Sequence, residues 1–184
     1  MPSVNQYIIP ELQKPSKESA WVELYKLDAT AFGGGVFYFC NEQNKTGGNV
    51  IFGANTYVAL PIQVSGWDMN NTGTSAKPTL SVSNVSKALL SAINAQKDLV
   101  GTKLTRIRTF GKFLADGSTP NGAAFIGPDT MFIEQKTYHD RTMLQFQLTS
   151  VMDRMGMKLP RRQILKDANH LGCAFPGVSR TRVA

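Results

Sequence analysis

The chain carries only two cysteines and two histidines among 184 residues, and that scarcity excludes several kinds of protein. Cys40 and Cys173 lie far apart in dissimilar contexts, so they make neither a disulfide framework nor a Cys-x-x-Cys metal site. Synthesis in a reducing cytosol fits that count. No run approaches the roughly 20 consecutive apolar residues of a membrane span, and no apolar signal core opens the sequence. A soluble, unprocessed protein is expected. Acidic residues are few, 13 against 20 Lys and Arg, for a formal charge of +7. A field of that sign draws polyanions or acidic protein surfaces without choosing between them.

Catalytic constellations are thin for the same reason. His139-Asp140 has the look of a phosphohydrolase metal pair, but that chemistry needs further His and Asp ligands around an open position, and the other histidine is His170. A turn histidine between two strands is the simpler reading. A nucleophilic site from Cys40 with His139 or His170 would need an exposed, electropositive thiolate. Cys40 instead ends a Phe-Tyr-Phe run, the setting of a buried small hydrophobe. Cys40, Cys173, His139 and His170 have no paired ligand spacing for zinc. Gly33-Gly34-Gly35 lacks the Lys-Ser/Thr and the following helix of a phosphate loop. No enzymatic activity is expected.

What the sequence does have is strand pattern. Its length suits one good-sized domain, or a small domain with extended arms. Residues 1–18, with Pro2, Pro10 and Pro15, read as an arm that stays extended or mobile until something holds it. Strands follow at Trp21–Asp28 and Val36–Cys40 around the Gly33–Gly35 turn, then a hairpin over residues 49–60 about Gly53-Ala54-Asn55. Pro61 ends or bends that strand, and Ile62 to Met69 begins another. Thr79 to Ser83 alternates hydroxyl and apolar residues before the period switches to helical: Val85, Leu89, Ala92 and Ile93 fall on one stripe. One helix is expected over about 84–99, capped by Ser83 or Asn84 and closed by Gly101.

Strands are expected again at Lys103–Leu114, Met131–Tyr138 and Arg141–Val151, separated by a Gly- and Pro-rich loop over 116–128. In the last, Leu144, Phe146 and Leu148 alternate with Gln145, Gln147 and Thr149, the pattern of a sheet with one buried and one wet face. The fold class is therefore mainly β, an antiparallel barrel or sandwich with a single α-helix. Its wet faces carry Ser, Thr and Gln in preference to charge. The domain spans 19–157, and a basic arm occupies 158–184.

Binding chemistry is suggested most directly by Arg106-Ile107-Arg108-Thr109-Phe110-Gly111-Lys112-Phe113. Basic and aromatic residues interleave there, as on small barrels that hold single-stranded nucleic acid. Arg106, Arg108 and Lys112 are the candidate polyanion contacts of that alternative. Phe110 and Phe113, at odd separation on a strand, should face opposite ways, which breaks a continuous stacking platform.

Several phrases in order, "FYFCNEQN" (37–44), "LPIQVSGWDMNNTGTSAKPTLSVSN" (60–84), "DLVG" (98–101) with its basic strand, and "LPRRQIL" (159–165), resemble the minor tail protein L family of lambda-like phages. The resemblance covers roughly residues 20 to 166, and the phrase around "GTSAKPTLSVSN" is its most characteristic part. It implies a structural virion protein made in the bacterial host cytoplasm. Such a protein would sit at the distal tip of a long non-contractile tail, between the ring ending the tube and the threefold hub with its receptor-binding fibres. A homo-trimer without catalytic activity, needed for tail assembly, is the implied form. Thr79, Ser81 and Ser83 would then face a tube wall or a neighbour. Arg161, Arg162 and Lys166 would either pair with carboxylates on the hub, where arginine forks bind bidentately, or touch the end of the packaged genome or its measuring protein; the hub is the favoured reading.

Better-known members of that family continue beyond the "PRR" arm into a cysteine-rich domain that looks like an iron–sulfur site. Such a cluster normally takes four thiolates. Cys173 is the single candidate ligand in the corresponding region, so no cluster, metal or other cofactor is expected. A three-thiolate site from Cys173 on a threefold axis is the variant, against a free thiol in a tail punctuated by Gly172, Pro176 and Gly177.

Overall fold

The computed structural model describes residues 6–14, 19–67, 77–83, 97–140 and 142–153. The strands are β1 (Trp21–Asp28), β2 (Val36–Cys40), β3 (Val50–Phe52), β4 (Asn55–Ala59), β5 (Ile62–Ser65), β6 (Thr79–Ser83), β7 (Lys103–Phe110), β8 (Ile126–His139) and β9 (Met143–Thr149). They form one sheet in the order β3-β4-β2-β1-β7-β8-β9-β6-β5. The mainly-β class expected from the alternation is what the chain adopts. All pairings are antiparallel except β2 with β4, which run parallel.

The ladder does not close into a barrel. Its edges are β3 and β5, and it is the chain itself that joins the two ends, because β4 runs through Leu60-Pro61 directly into β5. Pro61 cannot donate to a ladder, and the kink it marks moves the strand from β2 at one end of the sheet to β6 at the other. The Leu60 amide still donates to the Cys40 carbonyl at 2.9 Å, and the Ser83 amide to the Pro61 carbonyl at 2.9 Å.

Curling of this kind buries both faces of the middle strands. One core gathers Tyr25, Leu27, Phe39, Ile62, Leu80, Val82, Leu104, Ile133, Leu144, Phe146 and Leu148. The second lies on the opposite face of β1 and β2 and holds Val22, Leu24, Cys40, Val50, Phe52, Tyr57, Phe110 and Phe113. Val22 and Leu24 therefore point away from Tyr25 and Leu27, as the two-residue strand period requires. A strand covered on both faces loses the simple apolar–polar alternation.

The structure departs from the sequence expectations at several points, β8 starting at Ile126 inside the expected loop among them. The basic strand stops at Phe110, not Leu114, because Gly111 leaves the ladder, donating to the Ala20 carbonyl at 3.0 Å, and a 3-10 turn follows over Gly111–Phe113. That turn breaks strand parity, so Phe110 and Phe113 share the second core with rings 6.4 Å apart. Of the helix expected over about 84–99, residues 84–96 lie outside the described residues, and its expected last turn is a 3-10 segment, Lys97–Leu99, in which Asp98 and Leu99 have φ of 57° and 58°. The chain itself supplies a hold for the arm over residues 6–14: Ile9–Leu12 form a short helix, α1, started by Pro10, and Ile8 is wholly buried in the second core.

Candidate interaction surface

The sequence picked out two polar sets, and the structure gives them different surroundings. Thr79, Ser81 and Ser83 lie on the face of β6 opposite Leu80 and Val82, which are in the first core. Strand pairing extends them into two rows. Gln63, Ser81, Gln145 and Tyr138 are successive register partners across β5, β6, β9 and β8. Ser65, Thr79, Gln147 and Gln135 make the parallel row.

Neither row contains a formal charge, and the Gln135 amide donates to the Gln147 carbonyl oxygen at 2.8 Å. At the margin, Lys77 and Glu134 neutralise each other at 3.0 Å. Where the rows reach Ser83 and Met143, a cleft of about 500 Å³ opens between them and Asn41, Pro61 and Gln63. The Asn41 side-chain oxygen accepts from the Ile62 amide at 3.2 Å and so ties the start of β5 to the end of β2.

Arg106 and Arg108 have another role. By parity they share a face of β7 with Leu104, toward the first core. Arg106 is only 8% exposed. Its guanidinium reaches Asp129 at 3.1 Å and Glu23 at 3.4 Å and lies over the Trp67 ring, 4.1 Å from the centroid. Arg108 approaches the same Asp129 at 4.0 Å. The Tyr25 hydroxyl donates to Glu23 at 2.5 Å, and burial, followed by that carboxylate, pushes its phenol well above the usual range. Two arginines and two carboxylates thus cancel on this face, Arg106 and Asp129 largely buried and Glu23 and Arg108 partly exposed. A buried guanidinium already paired and stacked is not displayed to a phosphate backbone.

Lys112 is likewise engaged. It donates to the buried carboxylate of Glu11 on α1 and lies 4.8 Å from the Phe113 ring centroid. Lys14 pairs with the same carboxylate at 3.1 Å. The hydrogen bond from Lys112, with help from Lys14, holds the Glu11 pKa below the ordinary carboxylate value against the opposing effect of burial.

Cys40 is buried, its thiol donating to the Glu42 carbonyl at 3.1 Å. Burial raises its pKa, the opposite of what a nucleophile or metal thiolate needs. His139 is exposed at the end of β8. Among the described residues no three His, Cys, Asp or Glu side chains cluster as metal ligands. Arg161, Arg162, Lys166, His170 and Cys173 lie outside the described residues.

Residues 30–178 match the family model of the phage minor tail protein L. The chain belongs to that family. It is 31% identical over 170 residues to tail tip protein L of Escherichia phage lambda, an alignment that takes in 90% of this chain and 73% of the relative. The protein is thus a structural component of a bacteriophage tail, carried in the virion among other tail proteins.

Proposed function

We propose that the protein is an adaptor at the distal tip of the tail, joining the end of the tail tube to the central hub that bears the receptor-binding fibres, and that tails do not assemble without it. The observation that carries this reading is the double row of Ser, Thr and Gln across four strands. On a chain of net charge +7, two rows of described residues with no formal charge are suited to being covered. Charged groups are costly to desolvate and are depleted from interface centres, whereas amides and hydroxyls can pair with a partner's backbone or side chains. Thr79, Ser81 and Ser83, with Gln145 and Gln147, would meet a neighbouring tail-tip subunit in a homo-trimer. Arg161, Arg162 and Lys166 would engage acidic groups on the hub.

No catalytic or cofactor role is assigned. Cys40 is committed to an apolar core with its thiol donating to the Glu42 carbonyl, and is not placed to ligate a cluster. A single-stranded nucleic-acid interface has lost its main support, because Arg106, Arg108 and Lys112 are already paired. Tail assembly with a chain carrying lysine in place of Ser81 and Gln145 tests the proposal. Folded protein with few or no assembled tails is the expected result, and a normal yield of tails containing it would contradict the proposal.

A further inference from the structure

Ile8 and Glu11 anchor the N-terminal arm in a way that invites exchange between copies. The second core is closed at one end by Ile8 and Leu12, delivered by a four-residue helix too short to hold itself together in water. Glu11, 3% exposed, supplies the complementary charge to Lys112. The dock and the root of the arm share one corner of the molecule. Ser19 accepts from the Lys112 amide at 2.9 Å, and Ala20 accepts from Gly111 at 3.0 Å. Residues 15–18 connect the two, a span of at most roughly 17 Å if fully extended.

That same corner carries exposed apolar side chains. Tyr7 and Ile9 of the arm are 52% and 39% exposed, and Trp21, two residues from Ser19, is 36% exposed. Beside them a groove of about 490 Å³ is lined by Ser19, Ala20, Glu42, Lys45, Lys112 and Asp116.

We propose that the arm is exchangeable: when copies meet at this corner, residues 7–12 of one copy occupy the Lys112 dock of the next. The occupant's chemistry is the one already seen within the chain, an apolar residue at position 8 and a carboxylate at position 11. A short tether presents its own arm at a millimolar-range effective concentration. Copies packed side by side in a tail are at comparable concentration, so exchange competes there though it is negligible in dilute solution. It adds no new contact type, which is what makes swapping a low-cost route to association. The inference builds on the reading that several copies meet in the tail, but its test uses the isolated chain, so its failure leaves the tail-tip assignment standing.

The test is charge reversal in two chains. In Glu11→Lys and in Lys112→Glu, each chain repels its own arm. Mixed, the two chains form a reciprocal pair in which both contacts are opposite in charge. Sedimentation at concentrations raised toward the millimolar range should give monomer for each variant alone and about twice that mass for the mixture. The doubly reversed chain, E11K/K112E, should return to monomer with wild-type thermal stability. A mixture that stays monomeric while both variants are folded overturns the proposal.

If either single variant fails to fold, wild-type chains labelled with ¹⁴N and ¹⁵N are mixed, concentrated and joined by carbodiimide. Glu11–Lys112 cross-links carrying both isotopes support exchange. Same-isotope links alone, or no link at this pair, reject it.

Discussion

Arg106 and Asp129 are register partners across β7 and β8, and their side chains meet at 3.1 Å inside the sheet. The pairing follows from backbone geometry. It sits beside a bulge between Arg106 and Arg108 that lets both guanidinium groups reach one carboxylate, and Glu23 on β1 closes the group from the other side.

Removing a carboxylate from such a group leaves buried positive charge. Asp129→Ala should therefore destabilise the fold by about 2–4 kcal/mol, somewhat below the usual cost of breaking a buried pair because Glu23 remains. Lys77→Ala, which breaks the exposed pair with Glu134, should cost less than about 1 kcal/mol. Urea unfolding of the two variants checks the contrast, and equal losses would mean that the interior pair is no more than a surface one.

How much of this was legible in the sequence depends on how far each residue's partner lies. The alternation of Leu80 and Val82 with hydroxyls, and of Leu144, Phe146 and Leu148 with Gln, is set locally, and both strands and their polar faces are where the period put them. That the two faces join into rows depends on β6 lying between β5 and β9, which no local pattern states. The interleaved Arg106 and Arg108 look like a solvent-facing basic strip because the partners of Arg106, Glu23 and Asp129, are 83 and 23 residues away. Trp67 as a cover for Arg106 carried no signal at all. Ile8 and Glu11 gave a faint one: an apolar residue, a proline and a carboxylate in helical spacing within a segment otherwise marked by prolines as extended.

The arm also makes a pH prediction. The Glu11 pKa is lowered on folding, chiefly by its hydrogen bond from Lys112, so its contribution is present above the ordinary value of 4.5 and is lost as pH falls through the lowered one. The Leu12 amide, which donates to the Ile8 carbonyl at 3.2 Å, reports the docked state. Its hydrogen exchange, corrected for intrinsic rate, should quicken on acidification below that range, before strand amides in the first core lose protection. Protection that persists until global unfolding would show that the ion pair does not hold the arm.

The neutral rows predict a separation of folding from assembly. Ser81→Lys alone should change stability by less than about 0.5 kcal/mol, since the side chain lies on the outer face, yet it places a charge at the centre of the proposed contact. Thermal melting and the yield of assembled tails are the two measurements. Normal tails from this variant would move the contact elsewhere on the molecule.

The basic arm gives a parallel prediction from sequence. Replacing Arg161 and Arg162 with Ala should leave thermal stability within about 0.5 kcal/mol of wild type while blocking incorporation into tails. Normal incorporation would remove the arm from the assembly account.

The most direct test of the central claim is immunogold labelling of purified particles combined with mass-spectrometric counting of the protein in isolated tails. The account predicts a few copies per tail, in a multiple of three, with label confined to the distal tip. Label along the whole tube, or absence from the tail, would contradict it.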